Sequence, residues 1–165
     1  MINDLSETLR AVLTQSGLPA ELSAADISFE RPVETFKPEW TTLNAFLYEL
    51  RENHDLRSNG NATLSLACTY LITAWPSEST EPALREQQLL GQALQVLSGY
   101  RVIPANLLKG SLVGRSPPPQ LQILPPDAIK NSSEFWTALG NKFRLSFSVT
   151  ITIALAVEHP AETPA

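Results

Sequence analysis

The sequence predicts an α+β fold: a single domain built on a mixed, largely antiparallel β-sheet flanked by helices. Two stretches, residues 64–75 and 144–157, alternate apolar with small polar side chains. That period of two marks strands with one buried face. Two others, residues 5–13 and 83–98, repeat leucine at helical spacing. The chain has 165 residues, 43% hydrophobic and 18% charged, which is enough for one core and within the ordinary globular range.

In the first segment Leu5, Leu9, Val12 and Leu13 form one apolar stripe. Asn3 is the expected cap of this helix, and Gly17 with Pro19 its stop. Residues 26–31 are expected to be a short strand with Ile27 and Phe29 on one face, ended by Pro32, which has no ladder donor. Residues 43–52 follow as a strand with Leu43, Ala45 and Leu47 on one side and Phe46, Tyr48 and Leu50 on the other. A strand apolar on both faces is expected to be central. Residues 53–61 are rich in Asn, Asp, Ser and Gly and read as a loop joining an antiparallel pair. In the next strand Leu64, Leu66, Cys68, Tyr70 and Ile72 share a face.

Residues 76–82 form a turn. The helix over 83–98 is expected to be capped by Ser79 or Thr80, to carry Pro82 in its first turn and to end at Gly99. Residues 103–126 hold six prolines and are expected to wrap the surface, with short strands near Leu112-Val113 and over 121–124. A short helix over 133–139 stops at Gly140. In the last strand, 144–157, Leu145, Phe147, Val149, Ile151, Ile153, Leu155 and Val157 all lie on one face. It would run about 45 Å at ~3.3 Å per residue, against a usual ~17–20 Å. The domain is expected to span 1–158, with 159–165 a flexible tail.

Composition narrows the function. No apolar run is long enough for a transmembrane helix, and Met1-Ile2-Asn3-Asp4 does not read as a signal peptide. Cys68 is the single cysteine and fits a reducing cytoplasm. The net charge is −5 and the basic residues are scattered, which disfavours nucleic-acid binding. No nucleophile–base pair, phosphate loop or metal-ligand spacing is present. His54 and His159 fall in loop and tail, and Cys68 reads as an inert buried thiol. Gly110-Ser111-Leu112-Val113-Gly114 lacks both the spacing and the strand–helix context of a nucleophile elbow, and reads as a turn-rich edge. Glu49 and Glu52 lie at a solvated strand end. Trp75 and Trp136 are expected to be core or interface anchors.

Five segments carry a family resemblance. They are Asp4-Leu5-Ser6-Glu7-Thr8-Leu9-Arg10; Leu47-Tyr48-Glu49-Leu50-Arg51-Glu52-Asn53 with Leu56-Arg57-Ser58-Asn59; and Tyr70-Leu71-Ile72-Thr73-Ala74-Trp75. Leu89-Leu90-Gly91 through Gln95-Val96-Leu97 follows, then Phe135-Trp136-Thr137-Ala138-Leu139-Gly140-Asn141-Lys142 with Arg144. In order and spacing they resemble a family encoded in contractile injection clusters. Its studied members cap the tails of antifeeding-prophage-like and virulence-cassette particles. Members often carry a longer charged insertion before the Tyr-Leu-x-Thr-Ala-Trp strand; here residues 59–63 nearly close it.

The resemblance implies a tail-terminator-like fold and a structural protein, not an enzyme, with no cofactor. It implies a homo-oligomeric sixfold ring seated on the last sheath and inner-tube rings of a particle. The chain is expected in the cytoplasm, assembled on that particle, which is either released or membrane-attached, and without direct membrane insertion. An adaptor or baseplate-associated protein of the same particle is the alternative. The candidate interface comprises Arg51, Glu52, Asp55 and Arg57, then Pro117, Pro118 and Pro119, and finally Ile153, Leu155 and Val157. The last strand is expected to leave part of its length unpaired and so to be shared with a partner.

Overall fold

The computed structural model describes residues 1–53, 63–77, 80–126 and 128–156. Among these, five strands form one sheet: β1 (Asp26–Ser28), β2 (Thr42–Glu52), β3 (Thr63–Trp75), β4 (Gln120–Ile123) and β5 (Ser146–Ala156). Their order is β1-β2-β3-β5-β4. β1 runs parallel to β2, and the other neighbours pair antiparallel. The helices are α1 (Ile2–Thr14), α2 (Ala20–Ala24), α3 (Pro82–Ser98) and α4 (Ser132–Ala138), with two 3₁₀ turns, Ala105–Leu107 and Gly110–Leu112. The predicted α+β class with a mixed, mostly antiparallel sheet is what the chain adopts.

The sheet separates two layers. One face carries Cys68, Tyr70 and Ile72 of β3 beside Val149, Ile151 and Ile153 of β5. Leu5, Leu9, Val12 and Leu13 of α1, with Leu89, Leu90, Ala93 and Leu97 of α3, bury against that face. Each large apolar side chain sealed there contributes about 1.5–3 kcal/mol. The Tyr70 hydroxyl, deep in the layer, is satisfied by Ser6 Oγ at 2.7 Å, as a buried polar group requires.

A smaller layer covers the other face at the end where β2 begins and β3 finishes. Phe36 meets Trp75 edge-on at 4.8 Å between centroids. Tyr48, Phe135 and Trp136 form a chain of edge-to-face contacts. Asn141 Nδ2 donates to the carbonyls of Pro32 and Val33, tying the two covering loops together. Trp136 is 2% exposed and Trp75 9%, so both tryptophans expected as anchors serve the core.

Several local expectations need correction. Asn3 lies inside α1: Met1 holds the cap position, and Asn3 Oδ1 accepts from the N-terminal ammonium. β1 ends at Ser28, three residues earlier than expected, where Ser28 Oγ accepts from the Glu30 N–H. Glu81, not Thr80, precedes α3 as its cap residue. Leu112 belongs to a 3₁₀ turn, not a strand. α4 is capped as its sequence allows, with Asn131 Oδ1 accepting from Glu134 N at 3.1 Å. β3, not β2, is the middle strand, and beyond residue 44 β2 has no strand on its outer side.

The register of β2 breaks between Leu47 and Glu49, leaving Tyr48 as the extra residue of a bulge. The bulge reverses the alternation. Leu50, expected beside Phe46 and Tyr48, instead shares the opposite face with Cys68, its cross-strand partner. Finally, β5 spans 11 residues and all of them pair with the 13-residue β3. The premise that much of the long strand finds no partner in its own sheet therefore fails, because its neighbour is equally long.

Candidate assembly interface

The first group of predicted interface residues lies at the end of β2. Arg51 is exposed and pairs with Glu49, Nε to Oε1 at 3.0 Å. Glu52 is half-buried and sits across from Leu66. Asp55 and Arg57 lie outside the described residues, as do His54, His159, Val157 and the expected tail.

The second group is divided. Pro117 is exposed and Pro118 half-buried, but Pro119 is buried, its carbonyl accepting from Ile103 N at 3.0 Å. In the third group Ile153 is 3% exposed and belongs to the core, so it is not a surface residue. Leu155 is half-buried near the end of β5. The outer side of that end is partly sealed: Arg115 donates to the Ala154 carbonyl at 3.1 Å. β3 brings Glu52 and Leu155 to one end of the sheet through its residues Leu66 and Leu64. The prolines instead join β4 along the sheet's flank.

Sequence reasoning passed over the opposite end. There a cleft of about 610 Å³ opens between the loop holding Phe36 and Pro38, the start of α3, and Arg144. Arg144 was expected to begin the last strand. Its guanidinium instead lies 3.7 Å from the Trp75 ring centroid and donates to the Ala74 carbonyl at 2.9 Å and to Glu86 Oε2 at 3.1 Å. Burial raises the Glu86 carboxyl pKa and lowers that of Arg144; their mutual attraction offsets part of each shift. Around the cleft four large apolar side chains stand in solvent: Trp40 (70% exposed), Phe143 (67%), Leu84 (56%) and Leu145 (46%). No sequence signal marked this end, because its residues lie in separate segments of the chain.

Chemistry is sparse among the described residues. No group of His, Cys, Asp and Glu is arranged to hold a metal, and no helix is long and apolar enough to cross a membrane. Cys68 is fully buried, and desolvation pushes its thiol up to about 11, the opposite of what a nucleophile needs. The Gly110–Leu112 turn is held by Asp4, whose Oδ2 accepts from Ser111 N and Oγ.

The whole chain superposes on a chain in the cryo-EM structure of the sheath/tube terminator, extended state, of PVC, an extracellular contractile injection system. The TM-score is 0.71 at 23% identity, covering 62% of that chain. It also superposes along its whole length on the anti-feeding prophage tube-terminating cap, with a TM-score of 0.70 at 24% identity, covering 59% of that chain. The chain thus spans about three-fifths of the length of these solved structures, and at this identity the likeness is one of fold. No curated protein matches the sequence. The family profile of the Pvc16 N-terminal domain matches residues 4–165, and the chain belongs to that family.

Proposed function

We propose that this chain is a structural cap of a contractile injection system, ending its tube and sheath as a homo-oligomeric ring. The observation that carries this reading is the joint one of family and fold. A Pvc16 N-terminal domain occupies nearly the entire sequence, and the same residues take the fold of a sheath/tube terminator and of a tube-terminating cap over 100% of the chain. Its partners are further copies, six to a ring, and the sheath and inner-tube subunits of the last rings. It works on a particle assembled in the cytoplasm. Its contribution is geometric: a ring of identical subunits ends a polymer by covering the surface on which the next ring would add. A buried thiol and a mixed-sign surface suit that task and supply no reaction.

A gold-labelled affinity tag on the chain, imaged on intact particles, tests the assignment. Label at the end distant from the baseplate supports the cap. Label at the baseplate excludes it and leaves the adaptor role.

A further inference from the structure

Resting on the ring reading above, we infer that neighbouring copies join head to tail, the aromatic rim of one copy docking on the β4 flank of the next. A closed ring of identical subunits needs two different complementary patches on each. Eight large apolar side chains are exposed among the described residues, and seven fall in two separate groups.

Trp40, Leu84, Phe143 and Leu145 make the first. Trp40 precedes β2, whose Thr42 pairs with Trp75; Phe143 and Leu145 precede β5, whose Ser146 pairs with Thr73. The α3 first turn lines the same cleft as Trp75 and Arg144. All four therefore crown one end of the sheet.

Val102, Val113 and Leu124 make the second group, 42%, 61% and 58% exposed. The Leu124 N–H donates to Ser148 O, Val102 bridges Gln120, which pairs with Thr152, and Arg115, two residues past Val113, reaches Ala154 O. The three thus line the outer flank of β4 and β5, with exposed Pro117 between Val113 and Leu124 in sequence. They are spaced along the flank from Ser148 to Ala154, and apolar side chains left exposed in one region are candidates for association.

Charge selects the pairing. The rim segments 29–41, 81–86 and 142–145 carry five glutamates and five Lys or Arg, a net of zero. The flank, residues 99–126, carries three bases and no acid. The other described residues carry seven acids and three bases, a net of −4. Copies that met through those described surfaces would bring like charge together, whereas rim and flank meet without that repulsion.

The test uses the full chain carrying Phe143→Glu on the rim or Leu124→Glu on the flank, with Trp40→Glu and Val113→Lys as second variants. All four sites are exposed, and unchanged circular dichroism confirms folding. Native mass spectrometry should find rings for the wild type and monomers for each variant. An equimolar mixture of Phe143→Glu and Leu124→Glu chains should give a 1:1 dimer and nothing larger, since only one intact rim and one intact flank can meet and the two Glu-bearing patches repel. Rings in either variant, or loss with the rim variants alone, overturn this interface while leaving the ring reading in place. Rings that persist in all variants but fail to join particles assign these patches to the sheath or tube. A wild-type chain that stays monomeric alone and on particles overturns the ring reading itself.

Discussion

Replacing Arg144 by alanine removes three interactions at once. The guanidinium stacked 3.7 Å over Trp75 contributes about 0.5–2 kcal/mol. Its charged hydrogen bond to the Ala74 carbonyl at 2.9 Å contributes about 1.5–3 kcal/mol. The ion pair with Glu86 joins side chains 27% and 18% exposed, and solvent screening discounts it to about 0–1 kcal/mol. The terms overlap, because one side chain makes all three, so about 2–4 kcal/mol is the expected total. For a domain of this size each kcal/mol moves Tm by about 2–4 °C, which gives a fall of roughly 4–16 °C. Arg144→Lys should recover less than half, since an ammonium cannot stack flat and donate in two directions. Differential scanning fluorimetry at pH 7 on the three proteins measures this. An alanine variant within about 2 °C of wild type, or a lysine variant equal to it, would refute the reasoning.

Three smaller perturbations follow from the same geometry. Gly110 has φ +56° and its missing Cβ would meet the Asp4 carboxylate, so Gly110→Ala should cost at least about 1–2 kcal/mol in urea unfolding, and an unchanged midpoint would contradict it. Ser111 hydrogen bonds hold the Asp4 carboxyl below its usual 3.8. Its contribution is therefore present above that value and lost as pH falls through the lower folded one; an Asp4→Asn chain should lose less stability than wild type on acidification below about pH 4, and parallel acid limbs would argue against the clamp. Cys68, 0% exposed with its thiol pushed up to about 11, should resist iodoacetamide at pH 8 in the folded chain and react in denaturant; prompt labelling of the native protein would contradict its burial.

The parts of this fold that sequence made legible are those with a long, one-sided period. The stripe of α1, the leucines of α3 and the alternation of β3 and β5 each bury a face against the same core, so pattern and packing agree. β1 and α2 were harder. A three-residue parallel edge strand depends on a distant partner, and a five-residue helix is too short to show a period. The bulge at Tyr48 was invisible for a different reason. β2 is apolar on both faces before the bulge, so a change of parity breaks no pattern.

Among the candidate interface residues, the exposure of Pro117 was legible because a proline cluster with few ladder donors belongs at an edge. Pro119 and Ile153 were misplaced, since the burial of Pro119 beside Ile103 and of Ile153 in the core depends on packing between distant segments. The rim around Arg144 escaped notice because its residues come from three separate segments that only the topology unites.

Termination of polymerisation is the central claim, and the length of particles tests it most directly. Electron microscopy of particles from cells lacking this chain should show tubes of broad, uncontrolled length or unstable particles, with a narrow length distribution restored by the wild-type chain. Particles of normal length and yield in its absence would contradict the cap assignment.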